Sequence, residues 1–227
     1  MISRPARTRL LLLLTALLPL AALAATPNPI PQPRGPAPVI DVDYTVIDGG
    51  LPYAPLKGKI EVVELFGYTC PHCAHFEPLV SAWKARLPAD VNFTAVAAPM
   101  GGHWIPYARA FFAAQSLGLE RRTHKAMFEA LHVDGSLPLS RPTPGEIAGF
   151  YARHGANAQR FVAAMASPAT DARLEQARAF MIRSGVQGTP AIVVNGRYRV
   201  IGTSFEDKLR ITDHLVARER AMKKKNR

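Results

Sequence analysis

Apolar residues along this chain change their spacing several times, and each change marks an element. Ile60-Glu61-Val62-Val63-Glu64-Leu65-Phe66 and Val91-Asn92-Phe93-Thr94-Ala95-Val96-Ala97 are β-rich runs that predict two strands. Upstream, Asp41 to Ile47 alternates and predicts a strand ending at the Asp48-Gly49-Gly50 turn. Between the two longer runs, Phe76, Leu79, Val80, Trp83 and Leu87 recur at helical spacing, predicting one apolar helix face closed by Pro88.

From Ile105 to about Pro168 the pattern is helical only. Tyr107–Leu117 and Glu120–His132 predict two helices. Thr143-Pro144-Gly145-Glu146 is a capping box opening a third, Asn157 caps a fourth, and Thr170 or Asp171 caps a longer one running to Arg183. Phe111, Phe112, Met127, Phe128, Phe150, Tyr151 and Phe161 are expected to form the core of this block. Strand signals return at 191–194 and 198–201 around Asn195-Gly196, a tight-hairpin dipeptide, and Ser204 starts a last amphipathic helix. The order is β-β-α-β, a helical block, then α-β-β-α.

Two ends of the chain fall outside this pattern. Arg4, Arg7 and Arg9 precede an apolar run that reaches about Ala25, and Ala22-Leu23-Ala24 is a small-x-small cleavage pattern; residues 1–24 are expected to be a signal peptide cut near Ala24. The run is short for a membrane span, which needs roughly 20 residues. Residues 25–38, with six prolines, are expected to be an extended, mobile linker. The net charge of +11 falls to +8 without the leader, and much of the remainder lies in Arg218–Arg227. Other basic residues are scattered among acidic neighbours, so a solvated basic tail at 223–227 is expected and no nucleic-acid role.

The only cysteines, Cys70 and Cys73, sit in Phe66-Gly67-Tyr68-Thr69-Cys70-Pro71-His72-Cys73, where the strand gives way to the helix. As a structural staple the pair closes a four-residue loop, worth about 2 kcal/mol by chain entropy. A closed zinc site usually takes four ligands, and only His72 and His75 lie nearby; His103, His124, His132, His154 and His214 show no paired spacing and are expected to be solvated or capping residues. No metal is expected. Redox chemistry fits better. A cysteine at a helix N-terminus has its thiolate favoured by free backbone N–H groups, and a second cysteine one turn inward can resolve a mixed disulfide. His72 can add charge or a hydrogen bond to the Cys70 thiolate.

The segment through Phe76-Glu77, with Cys-Pro-His-Cys, closely resembles the active site of the DsbA family of periplasmic thiol:disulfide oxidoreductases. Val186-Gln187-Gly188-Thr189-Pro190, followed by Ala191 to Tyr198, resembles that family's cis-proline loop and hairpin. The resemblance covers about residues 40–220. It implies an α/β chain with a thioredoxin fold and an inserted all-helical domain: first half at 39–104, insertion at 105–169, second half at 170–222.

The same resemblance implies roles. Cys70 is the attacking thiol, Cys73 the resolving one, with Pro71 and His72 between them; Pro190 is the cis-proline, and Gly188 and Thr189 offer backbone groups to an extended substrate. Glu64, six positions before Cys70, matches a buried acid that relays protons to Cys73; by pattern alone it is equally a carboxylate facing water. Thr189 stands where the best-known member has valine. The implied activity is donation of the Cys70–Cys73 disulfide to newly exported, cysteine-containing proteins in the periplasm. No cofactor beyond that disulfide, a monomer, and reoxidation by a quinone-linked membrane partner resembling DsbB are implied. A disulfide isomerase or reductase, and a peptide-binding chaperone with an incidental cysteine pair, remain as alternatives. His103 and Trp104 can line a peptide groove or serve packing.

Overall fold

The computed structural model describes residues 32–225. The leader, its cut near Ala24 and the first part of the proline-rich segment lie outside the described residues. The elements follow the expected order: β1 (Tyr44–Val46), β2 (Ile60–Phe66), α1 (Pro71–Lys84), β3 (Val91–Ala97), α2 (Trp104–Ser116), α3 (Glu120–His132), α4 (Pro144–Arg153), α5 (Ala158–Met165), α6 (Pro168–Arg183), β4 (Ala191–Val194), β5 (Tyr198–Val200) and α7 (Phe205–Lys225).

One sheet, ordered β1-β5-β4-β2-β3, runs through the molecule. Strand β2 pairs parallel with β3 and antiparallel with β4, and the β4–β5 hairpin turns through Asn195 and Gly196, both at positive φ. Such a turn matches the strand twist and suits Asn-Gly. Alternation along the strands feeds two cores. Ile60, Val62, Ile192 and Val194 pack with Phe76, Val80 and Trp83 of α1 and Leu209, Ile211 and Leu215 of α7. Val63, Leu65 and Val193 pack with the aromatic residues of α2–α5 and with α6. Both faces of β2 are therefore covered, and every residue in it is buried. The seven residues expected to form the core of the helical block are all buried.

Several local expectations change. Asp41–Asp43 is a turn: Asp41 takes φ 63°, and the Asp43 carboxylate accepts the Val39 N–H, a local bond that competes with a ladder. Helix α1 ends at Lys84, before Leu87 and Pro88. Helix α6 is capped by Ser167, whose Oγ accepts the Thr170 N–H, with Pro168 in the first turn. The expected mobile linker is held in its described part, since Arg210 donates to Pro36 O and His214 Nε2 donates to Arg34 O at 3.2 Å. The basic end, expected to be solvated, is helical as far as Lys225, with Lys224 and Lys225 exposed. It continues α7, with Arg220 bonded to the Asp90 carboxylate at 2.6 and 3.0 Å and Lys223 Nζ donating to Lys59 O at 2.5 Å. Among the described residues, no helix is long and apolar enough to cross a membrane.

Candidate active site

The loop leaving β2 is shaped by close packing. A Cβ on Gly67 would stand 1.8 Å from the Trp104 ring, so only glycine lets the first residue of α2 lie against this loop. Trp104 thus packs on the loop. His103 N-caps α2 without a side-chain hydrogen bond. The Cys70 N–H donates to Gly67 O at 3.1 Å, and Cys70 becomes the N-cap of α1 in extended conformation, with Pro71 at the first helical position. Its carbonyl accepts the N–H groups of Cys73 and Ala74, both at 3.1 Å. Both cysteines are free thiols and buried. Opposite them, the loop before β4 brings Cys70 Sγ 3.5 Å from Thr189 O, and the Thr189–Pro190 peptide is cis.

This geometry separates the two thiols. Cys70 is lowered to about 5: a hydrogen bond from the Cys73 thiol contributes most, against the opposing effect of burial, with help from the Thr189 side chain and the backbone N–H groups of Cys73 and His72. Cys73 is pushed far up, by burial first and then by its neighbour Cys70. Thr189 Oγ1 is buried without a partner in this dithiol form, yet its hydroxyl favours charge on both sulfurs, because it can turn to donate to a thiolate. The His72 side chain is exposed and makes no hydrogen bond to Cys70; its aid to the thiolate comes through the backbone.

Beneath the cysteines lie acids. Glu64 is 3% exposed, not a carboxylate facing water. Burial, and then the charge of Glu77, raise its pKa to about 8, with Lys84 opposing. Glu77, one turn past Cys73, is buried as well. Burial pushes it up, but the hydrogen bond and charge of His124 and the Ser81 hydroxyl outweigh this and hold it below its ordinary value. Its Oε2 lies 3.3 Å from His124 Nε2, and its Oε1 accepts Ser81 Oγ at 2.5 Å.

His124 corrects an expectation. It is 6% exposed, enclosed by Phe66, Tyr68, Phe111 and Phe128, and its Nδ1 lies 2.9 Å from Tyr68 Oη. His132, two turns further along α3, donates from Nε2 to Tyr68 O at 2.7 Å. Spacing could have revealed the first of these: His124 precedes Met127, Phe128 and Leu131 by three, four and seven, on the buried stripe of α3. Nothing local announces its partner Glu77.

Among the described residues, no cluster of three or more His, Cys, Asp or Glu side chains is disposed to hold a metal. What remains is a thiol pair with sharply different acidities, facing a cis-proline. Residues 61–211 match the family model for the DSBA-like thioredoxin domain. The thiol:disulfide interchange protein DsbA of Azotobacter vinelandii is 41% identical over 167 residues, 72% of this chain and 77% of that one, and that of Pseudomonas aeruginosa is 39% identical over 186 residues, covering 81% and 86%. The crystal structure of oxidoreductase DsbA from Xylella fastidiosa is similar with a TM-score of 0.80 at 55% identity, spanning 81% of this chain and 98% of that one. The chain belongs to the DSBA-like thioredoxin-domain family and is a thiol:disulfide oxidoreductase.

Proposed function

We propose that this oxidoreductase works as a donor, giving its Cys70–Cys73 disulfide to cysteine-containing proteins newly exported to the periplasm, where cleavage near Ala24 would leave it. The single observation carrying the direction is the Cys70 thiolate, favoured at a pKa of about 5, which stabilises the reduced protein against the disulfide. A substrate thiolate attacks Cys70 Sγ. The sulfur–sulfur bond breaks, and its electron pair leaves on Cys73. Cys73 takes a proton, because its buried thiol is held neutral; Glu64, still protonated near neutrality, is the proposed donor. A second substrate thiolate attacks the substrate sulfur of the mixed disulfide, and Cys70 departs as thiolate. Two substrate thiols become one disulfide, the protein gains two electrons, one proton stays on Cys73 and one reaches solvent.

In this reading Pro71 and His72 shape the first turn of α1 and supply backbone support, while Gly188, Thr189 and Pro190 line the groove that receives an extended substrate. The protein acts as a monomer with its own disulfide as the only redox group. A quinone-linked membrane protein resembling DsbB restores that disulfide. Equilibrating the purified protein with glutathione tests the direction. The expected potential is well above that of thioredoxin, about −270 mV; a value as low as that ends the donor assignment.

A further inference from the structure

The groove beside Cys70, about 540 Å³, runs past Gly188, Thr189 and Pro190 around the end of the sheet. Its ionisable lining is entirely of one kind: His72, Arg199 and Lys208, with no Asp or Glu. The two permanent cations come from opposite faces of the sheet. Tyr198 and Val200 pack toward α7, so Arg199 between them points the other way and donates to Gly185 O just past α6. Lys208 rises from α7 and donates to Ile201 O at 2.5 Å. Together they bracket the segment a bound peptide would occupy.

Neither cation is offset by an acid in the wall of the groove. The arginines that do pair with acids, Arg109 with Asp171, Arg197 with Glu219, Arg210 with Asp207 and Arg220 with Asp90, lie outside the groove lining. Among the described residues, neither Arg199 nor Lys208 stands within ion-pair distance of a carboxylate; each bonds a neutral carbonyl. The acid next in sequence to Lys208, Asp207, is engaged by Arg210 at 2.8 Å and by the Thr203 N–H at 3.2 Å, and it does not line the groove. Partial burial also lowers Lys208 from its ordinary pKa against the pull of Asp207, as expected of an ammonium short of compensating charge. Arg199 has five N–H donors in a planar fork, and the Gly185 carbonyl leaves several free for a carboxylate.

We propose that Arg199 and Lys208 are specificity-determining residues that make this groove prefer cysteine segments carrying Asp or Glu within a few residues of the reacting cysteine. This rests on the donor reading above and adds to it the substrate class. The size of the preference follows from the exposure of the pairs: one or two partly exposed ion pairs correspond to roughly 3- to 10-fold in rate. It shrinks with added salt, because such pairs are screened.

The test uses the oxidised protein in single turnover with three dithiol peptides that differ only in having Asp, Ser or Lys beside the attacking cysteine. Each rate is divided by the peptide's rate toward a small disulfide reagent in free solution, which removes the effect of neighbouring charge on the peptide's own thiol. The expected order is Asp, then Ser, then Lys, with the Asp-to-Ser ratio collapsing toward one in the Arg199→Gln, Lys208→Gln double variant. Using that ratio cancels any loss common to both peptides. Lys208→Glu, which sets an acid against the remaining Arg199, should abolish most of the preference for the Asp peptide. Equal normalised rates in the native protein, or a ratio that survives the double variant, overturn the inference while the donor reading stands. A Ser peptide that is not oxidised at all removes the donor reading and this inference with it.

Discussion

His132 donates from Nε2 to the backbone carbonyl of Tyr68 at 2.7 Å, and His124, two turns earlier on the same helix, meets the Tyr68 hydroxyl at 2.9 Å. Helix α3 therefore holds both ends of a residue two positions before Cys70. The helical block does more than cover one face of the sheet: it fixes the loop that leads to Cys70. His124 also reaches past Tyr68 to Glu77 on α1, so one side chain ties the block, the loop and the active-site helix together.

Removing His124 should be costly for that reason. His124→Leu leaves the Glu77 carboxylate buried beside no cation but the more distant Lys84, and breaking a buried pair from one side typically costs about 3–5 kcal/mol. Adding Glu77→Gln to His124→Leu should restore part of the loss, because the stranded charge disappears. Urea unfolding of the two single variants and the double gives the coupling. Additive losses would show that the two side chains do not act as a pair.

The acidity of Cys70 sets a pH dependence for the redox couple. Its pKa lies near 5 in the folded dithiol form against an ordinary value of 9. A depressed pKa contributes stability that is complete above the ordinary value and lost as pH falls toward 5. At pH 7 it favours the folded reduced protein by about 3 kcal/mol, or about 60 mV of potential. The oxidised protein has no such thiolate. Its denaturation midpoint should fall below that of the reduced protein at pH 7, and the difference should narrow toward pH 4. A gap that stays constant with pH would place the source of the poise elsewhere than in this sulfur.

How much of this could be read from the chain alone depends on the range of the interaction. The strand Ile60–Phe66 was legible because a buried β-strand is a dense apolar run, Val91–Ala97 because Asn92 and Thr94 alternate with apolar residues along a half-buried edge strand, and the Thr143–Glu146 box because its bonds span three residues. The cysteine pair was legible because its chemistry sits within one helical turn. Asp41–Asp43 misled because alternation does not reveal that an Asp side chain will bond the nearby backbone instead. His124 misled for the opposite reason. Its partner lies 47 positions away on another helix, so a polar residue on an apolar stripe looked like solvated surface until the fold brought the acid to it. The fate of Glu64, which the strand pattern left even, was likewise decided by α1 packing over that face of β2.

Thr189 is the next point of control. Its hydroxyl is the polar side chain before the cis-proline, and it favours the charged form of both sulfurs. Thr189→Val keeps the shape and removes the donor. A hydrogen bond to a charged group is worth roughly 1.5–3 kcal/mol. The variant should therefore raise the Cys70 pKa by about one unit or more and lower the potential by about 30 mV or more. Following Cys70 alkylation rate against pH reads the first effect, and glutathione equilibration the second. An unchanged Cys70 titration in the variant would assign the thiolate support to Cys73 and the backbone alone.

Glu64 carries the opposite sign. Its pKa rises to about 8 in the folded protein from an ordinary 4.5, mainly through burial and then through Glu77. A carboxyl raised in this way is compatible with folding only while protonated: its contribution is fully present below 4.5 and is lost as pH climbs to about 8. By pH 7 the folded state is disfavoured by on the order of 3 kcal/mol relative to acid conditions. Glu64→Gln keeps a neutral, similarly shaped side chain at every pH. It should leave stability unchanged near pH 4 and raise it by on the order of 3 kcal/mol at pH 7, flattening the profile between those values. The measurement belongs on the oxidised protein, where no Cys70 thiolate adds its own slope. If Glu64 is kept in spite of this stability cost, the variant should also be slower in the step that protonates Cys73, read as a lower rate of mixed-disulfide formation near neutrality, with the deficit closing as pH rises past about 8 and native Glu64 loses its own proton. A Glu64→Gln profile parallel to the native one would mean that this carboxyl is already charged at neutrality and cannot be the proton source.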